Sequence, residues 1–134
     1  MSKGSSRDRL AAALQRIDDP KGEGARACLT VYRDAAQSAA DAADARAKAG
    51  ITLGPLDGAI VTIKDLFDVA GEVTRAGSKV IAEEGKPAAQ DAVIVQRLRS
   101  AGAVIVAKTN MSEFAFSGVG VNPHFGTPGN PADR

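Results

Sequence analysis

A chain of 134 residues, 44% hydrophobic and 25% charged, has room for one soluble globular domain or part of a larger one. Its seventeen basic and sixteen acidic side chains give a net charge of +1 with no long run of either sign, which excludes a phosphate-tracking surface and argues against a nucleic-acid partner. The single Cys28 excludes an internal disulfide, and neither a secretory signal at Met1-Ser2-Lys3-Gly4-Ser5-Ser6 nor any bilayer-length apolar run is present, so a cytoplasmic location without a membrane partner is expected.

From Arg7 to Ile17 the apolar residues Leu10, Ala13, Leu14 and Ile17 share one helical face, and Asp18-Asp19-Pro20-Lys21-Gly22 ends the element. Cys28-Leu29-Thr30-Val31-Tyr32 is a short apolar run read as extended, with Cys28 a buried small hydrophobe. The alanine-rich stretch from Asp34 to Ala49 predicts a helix stopped at Gly50, its charges forming a solvated face. Residues 1–50 are accordingly expected to form an amino-terminal helical region and 51–134 the start of a core domain.

Gly54-Pro55-Leu56-Asp57-Gly58 reads as a turn, and Ala59-Ile60-Val61-Thr62-Ile63 as a buried strand that delivers Lys64 at its carboxyl end. Asp91 is the expected cap of a helix running to Ala101, with Val93, Ile94, Val95 and Leu98 on or near its buried stripe. A second strand, Ala103-Val104-Ile105-Val106-Ala107, leads into Lys108-Thr109-Asn110. Strand, helix and strand in this order predict a parallel unit with both lysines at strand carboxyl ends, the edge where open α/β sheets bind ligands. Ser112 to Ser117 suggests a short helical turn, and the glycine- and proline-rich stretch from Gly118 to Pro131 a loop. Such a loop is an unusual end for a domain, so further sequence is expected after Arg134.

A lysine at the end of an apolar strand is costly to keep as an ammonium, which lets a residue so placed serve as a base. Lys64 and Lys108 share this setting, and spacing does not decide between them; Lys64 could equally reach solvent or pair with Asp65 or Asp68. None of the serines at 78, 112 and 117 or the threonines at 62, 74, 109 and 127 sits in a strained, glycine-flanked turn, so none is assigned as a nucleophile. The lone His124, with no carboxylate at ligand spacing, is read as structural, and no metal or cofactor is expected. Gly118-Val119-Gly120 is half of a dinucleotide fingerprint in the wrong context.

Gly54-Pro55-Leu56, Gly58, Ile63-Lys64-Asp65-Leu66-Phe67-Asp68 and Ala76-Gly77-Ser78 form the first set of blocks that, together and in this order, resemble the front part of the amidase signature enzymes. The resemblance continues through Ala101-Gly102-Ala103, Lys108-Thr109-Asn110-Met111-Ser112-Glu113-Phe114-Ala115, Asn122-Pro123-His124 and Gly126-Thr127-Pro128. It implies an α/β fold, the front of an α/β/α sandwich with a mixed sheet, preceded by amphipathic helices. It also implies hydrolysis of a carboxamide C–N bond by a nucleophilic serine, a second serine in cis peptide linkage, and a lysine.

Lys64 matches the family's catalytic lysine, Lys108 falls to a structural or supporting role, and Met111 falls where the family lines its substrate pocket. The family's Gly-Gly-Ser-Ser-Gly block and its nucleophile follow the Asn-Pro stretch matched by Asn130-Pro131, so both serines are absent from residues 1–134 and these residues alone are expected to be inactive. Ala59-Ile60 stands where the family often has Ile-Pro. The implied partners are a small amide substrate and the missing remainder of the fold, with a homo-oligomer as one further arrangement. The alternatives are the amidase subunit of a tRNA-dependent amidotransferase and a non-catalytic binding module that keeps the front of the fold.

Overall fold

The computed structural model describes residues 4–130 and 132. In chain order these form α1 (Ser6–Asp18), α2 (Gly24–Ala27), β1 (Cys28–Val31), α3 (Arg33–Lys48), β2 (Ile60–Lys64), α4 (Lys79–Glu84), α5 (Val93–Ser100), β3 (Val104–Thr109) and a 3-10 turn at Glu113–Ala115. Met1, Ser2, Lys3, Pro131 and Arg134, invoked from the sequence, lie outside the described residues.

The amphipathic face expected for α1 turns inward, with Leu10 buried and Leu14 and Ile17 packed against the same cluster. Ser5 caps the helix: its hydroxyl accepts the Asp8 amide, and the Asp8 carboxylate accepts the Ser5 amide in return. The next two free amides, of Ser6 and Arg7, donate to the carboxylate of Asp44 on α3. A negative charge is favourable at a helix amino terminus, so this contact ties α1 to α3. Helix α3 buries Ala36, Ala40 and Ala43, whose small side chains let its axis lie close to the sheet.

The sheet has three strands in the order β1-β3-β2. β3 is central and nearly all buried, pairing antiparallel with β1 and parallel with β2. Its residues feed two cores. Val104, Val106 and Ala107 join Leu10, Ala36 and Ala40, whereas Ile105 joins Ile63, Val69 and Val95 of α5. β1 lies within residues 1–50 yet is hydrogen-bonded to β3 in the core sheet.

The strand ladder contains an irregularity that decides where the lysines point. Val61 pairs with Ile105 but Thr62 pairs with Ala107, so Val106 has no partner on β2. An extra residue of this kind is a β-bulge, and it shifts every later side chain to the opposite face. Beyond it Ile63 pairs with Lys108, which puts Lys108 on the face of the Ile63 and Ile105 core, and Lys64 pairs with Thr109 on the other face.

Three expectations need correction. β2 is an edge strand among the described residues: only Ile63 is buried, while Thr62 and Lys64 are exposed. Asp91 does not cap α5, which starts from Ala92 without a side-chain cap; instead the Asp91 carboxylate accepts the Ala70 amide and the Arg99 guanidinium, so the loop after β2 has claimed it. Val93 and Ile94 of that helix are exposed, and Val95 carries its burial. Helix α4 has no counterpart in the sequence reading, and the turn after Ser112 is 3-10 with Phe114 and Ala115 at positive φ.

Candidate functional site at the carboxyl edge of the sheet

The chain leaves β2 and β3 at the same edge, so the segments after Lys64 and after Thr109 lie side by side. The Asp65 amide donates to the Thr109 carbonyl, and the Asp65 carbonyl accepts the Ala76 amide. Ala76 and Gly77 both take left-handed backbone (φ 52° and 71°), which turns the chain back under the strand end. A Cβ on Gly77 would sit 2.8 Å from the Met111 carbonyl oxygen and 2.9 Å from Asn122 Nδ2, so only glycine fits this turn. Ser78 therefore does follow a tight turn, contrary to expectation, but it is buried rather than presented.

Lys64 ends β2 with its side chain exposed, and neither Asp65 nor Asp68 pairs with it. Asp68 accepts the Thr74 hydroxyl. Asp65 is fully buried, with Oδ1 3.4 Å from Lys108 Nζ and Oδ2 4.0 Å from Arg75 Nε. Lys108 is not at an open strand end: it lies inside β3 with 1% of its surface exposed, and its ammonium also faces Glu72 Oε2 at 3.8 Å. Tyr32 closes the group by donating its hydroxyl to the same Glu72 oxygen at 2.8 Å.

Burial pushes the Asp65 carboxyl upward, and the nearby Lys108 and Arg75 cations offset only part of that. Burial and the Glu72 carboxylate push the Tyr32 phenol upward, which keeps it protonated and donating. This cluster of Tyr32, Asp65, Glu72, Arg75 and Lys108 was not foreseen from the sequence. Its members are scattered along the chain from Tyr32 to Lys108, and the bulge that brings Lys108 to it leaves no mark in the residue pattern.

Met111 is buried, and its backbone is held at both ends. Its amide donates to Asn110 Oδ1, and its carbonyl accepts from Asn122 Nδ2. Asn122 is 1% exposed and uses its whole amide group: Nδ2 also donates to the Gly77 carbonyl, and Oδ1 accepts the amides of His124 and Phe125. Asn110 Nδ2 donates to the Gly126 carbonyl at 2.7 Å and to the Arg26 carbonyl at 3.1 Å. Two asparagines thus staple the turn after β2, the segment after β3 and the glycine-rich loop into one unit. The signal that could have found them is the Asx chemistry of Asn122-Pro123, since a short amide side chain readily satisfies amides two and three residues on.

His124 is exposed, and it takes part in this unit through its backbone amide. Cys28 packs beside the Leu10 cluster, and burial pushes its thiol upward, which disfavours the thiolate. Among the described residues no group of three or more His, Cys, Asp or Glu side chains could hold a metal ion, and no helix is long and apolar enough to cross a membrane.

The family model described as Amidase matches residues 8–134, which takes in all the described strands and both lysines. The chain belongs to the amidase family. This amidase chain is 45% identical over 130 residues to AtzE, a 1-carboxybiuret hydrolase subunit of Pseudomonas sp. (strain ADP), covering 96% of this chain and 28% of the relative. It is 44% identical over 129 residues to a glutamyl-tRNA(Gln) amidotransferase subunit of Anaeromyxobacter dehalogenans (strain 2CP-C), covering 96% and 26%. Among solved structures, an s-triazine catabolic enzyme described within a vestigial protein complex superposes with a TM-score of 0.85 at 41% identity, over 97% of this chain and 28% of that one. The native peptide amidase of Stenotrophomonas maltophilia gives 0.70 at 37% identity, over 83% and 22%. The amidase chain thus spans 22–28% of the length of these relatives. The small mixed sheet and its helices agree with an α/β fragment of that fold.

Proposed function

We propose that this chain supplies the catalytic lysine, Lys64, of an amidase that hydrolyses a small carboxamide through a serine, a cis-serine and a lysine. The observation that carries the reading is the amidase family match from residue 8, which takes in Lys64 at the carboxyl end of β2. Its exposed amine does not have the desolvated setting expected from the sequence, so the support is the match and the strand-end position.

In this mechanism Lys64 accepts the proton of the cis-serine, which accepts the proton of the nucleophilic serine as that oxygen attacks the carboxamide carbon. Backbone amides of a glycine-rich loop hold the oxyanion, the amine or ammonia departs with a proton, and water releases the acyl-enzyme. Both serines and that loop lie outside residues 1–134, so the segment alone is expected to be inactive. Met111 contributes to the wall of the acyl pocket, residues 51–134 begin the α/β/α sandwich, whose sheet β1 of residues 1–50 joins, and no cofactor takes part. A cytoplasmic location goes with this reading.

Replacing the base tests it. In the intact protein that carries this segment, Lys64→Met is expected to lower kcat/KM for a carboxamide by roughly 10²- to 10⁴-fold with the folded signal retained. Unchanged turnover would remove Lys64 from the mechanism. A second reading, an amidotransferase component that releases ammonia to a partner protein, is supported by the several glutamyl-tRNA(Gln) amidotransferase relatives at 41–48% identity. Turnover of simple amides without tRNA or ATP would favour the free-standing hydrolase; activity restricted to a complex with a partner would favour the amidotransferase.

A further inference from the structure

We propose that Asp65 and Lys108 form a positioning pair whose task is to hold the backbone from which Lys64 projects; the inference rests on the reading of Lys64 as the base. Asp65 follows Lys64 directly and points to the opposite face of the sheet, where it meets Lys108 at 3.4 Å. Both side chains are at least 99% buried. The lysine of β3 reaches this face only because the bulge at Val106 reverses the side-chain alternation. Bulges are enriched beside active sites for this kind of re-aiming.

The energetics argue for geometry over stability. A buried ion pair is a weak source of stability, because the charges lose hydration and an apolar pair of similar volume often does as well. Among the described residues neither Lys108 Nζ nor Asp65 Oδ2 makes a hydrogen bond, whereas Asp65 Oδ1 accepts the Arg75 amide at 3.4 Å, which holds the carboxylate in place opposite the ammonium. The groups around the pair restrain it from each packed element. Arg75 faces Asp65 from the returning turn, Glu72 faces Lys108 from the same loop, and Tyr32 fixes Glu72 from the end of β1. The Asp65 backbone is held on both sides, by the Thr109 carbonyl and the Ala76 amide. The residue next to Lys64 is therefore fixed through side chain, amide and carbonyl, while Lys64 itself stands free of ion pairs among the described residues. A base must be held within hydrogen-bond reach of its proton, and a shift near 1 Å costs about 100-fold in rate.

The test uses the intact, catalytically competent protein, with kcat, KM and thermal midpoint measured for Lys108→Met, Asp65→Asn, Lys108→Arg and the double variant Lys108→Met/Asp65→Asn. The single neutral variants are expected to lose roughly 10- to 100-fold in kcat with KM within about twofold. Lys108→Arg is expected to recover part of kcat, because it restores the charge opposite Asp65. The double variant should regain thermal midpoint, since neither charge is left unpaired, while kcat stays low. If kcat returns in step with the midpoint, or the folded single variants keep full kcat, the pair is merely structural and the proposal fails. Lys64→Met made alongside separates the two ideas. If it retains turnover, the reading of Lys64 as the base falls; if it is inactive while the Lys108 variants are normal, only the positioning pair falls.

Discussion

Gly77 and Asn122 act as one joint, and each can be broken by a single atom or group. Gly77→Ala forces both a left-handed alanine and a clash with the Met111 carbonyl and Asn122 Nδ2, so a loss of roughly 1–3 kcal/mol is expected by urea unfolding. Asn122→Ala leaves four hydrogen-bond partners unsatisfied, two of them the buried Gly77 and Met111 carbonyls, and a loss on the order of 3 kcal/mol is expected, with the segment around Met111 loosened in hydrogen exchange. A destabilisation well under 1 kcal/mol in both variants would show that the loops are not coupled through this joint. The sequence could not separate Lys64 from Lys108, because both follow apolar runs. Val104 to Ala107 is apolar at every position, so no alternation exists in which a bulge could be seen. Only the register between strands assigns one lysine to each face.

Elements whose contacts are local were legible. α1 and α3 follow from periodicity and alanine content, and β1 from its β-branched run, because each choice is made within one window of sequence. α5 was found but its start was not, since Asp91 is drawn away by Ala70 and Arg99, partners 21 and 8 positions distant. α4 is six residues long and lacks a side-chain cap, so propensity alone could not announce it. The contact between the α1 amino terminus and Asp44 gives a test at this scale. Burial would raise the Asp44 carboxyl, but the amides of Arg7 and Ser6, the Ser6 hydroxyl and the Arg9 cation together outweigh it and hold it below the usual carboxylate range. Arg46 likewise holds Asp57 low, helped by the Leu53 amide. Carboxyls depressed in the folded state contribute stability that is complete above their unfolded value, near pH 4, and is lost as pH falls through the folded value. The thermal midpoint is therefore expected to drop as pH goes below about 4, and less steeply in Asp44→Asn, which should itself cost roughly 1 kcal/mol at neutral pH. Equal acid sensitivity in wild type and variant would remove Asp44 from this account.

At the level of the whole molecule the described residues leave much apolar surface open. β2 offers an unpaired edge, and Phe114, Phe116, Val119 and Val121 lie exposed along the segment after β3. Edges and patches of this kind promote association. Residues 1–134 prepared alone are expected to show a weight-average mass that rises with concentration in sedimentation, and replacing Phe116 and Val119 by serine should reduce it. A sharp monomer across the concentration range would overturn this.

The two lysines also differ as amines toward a reagent in solution. An acylating probe reaches Lys79 or Lys86 on the surface at once, but it can meet Lys108 only when the side chains of Tyr32, Glu72 and Arg75 move off this face of the sheet. That requires local opening of the cover over this face of the sheet. The bulge at Val106 has thereby made one side chain a clock: the slow appearance of a mass tag on Lys108 times the opening of the loop packed over it.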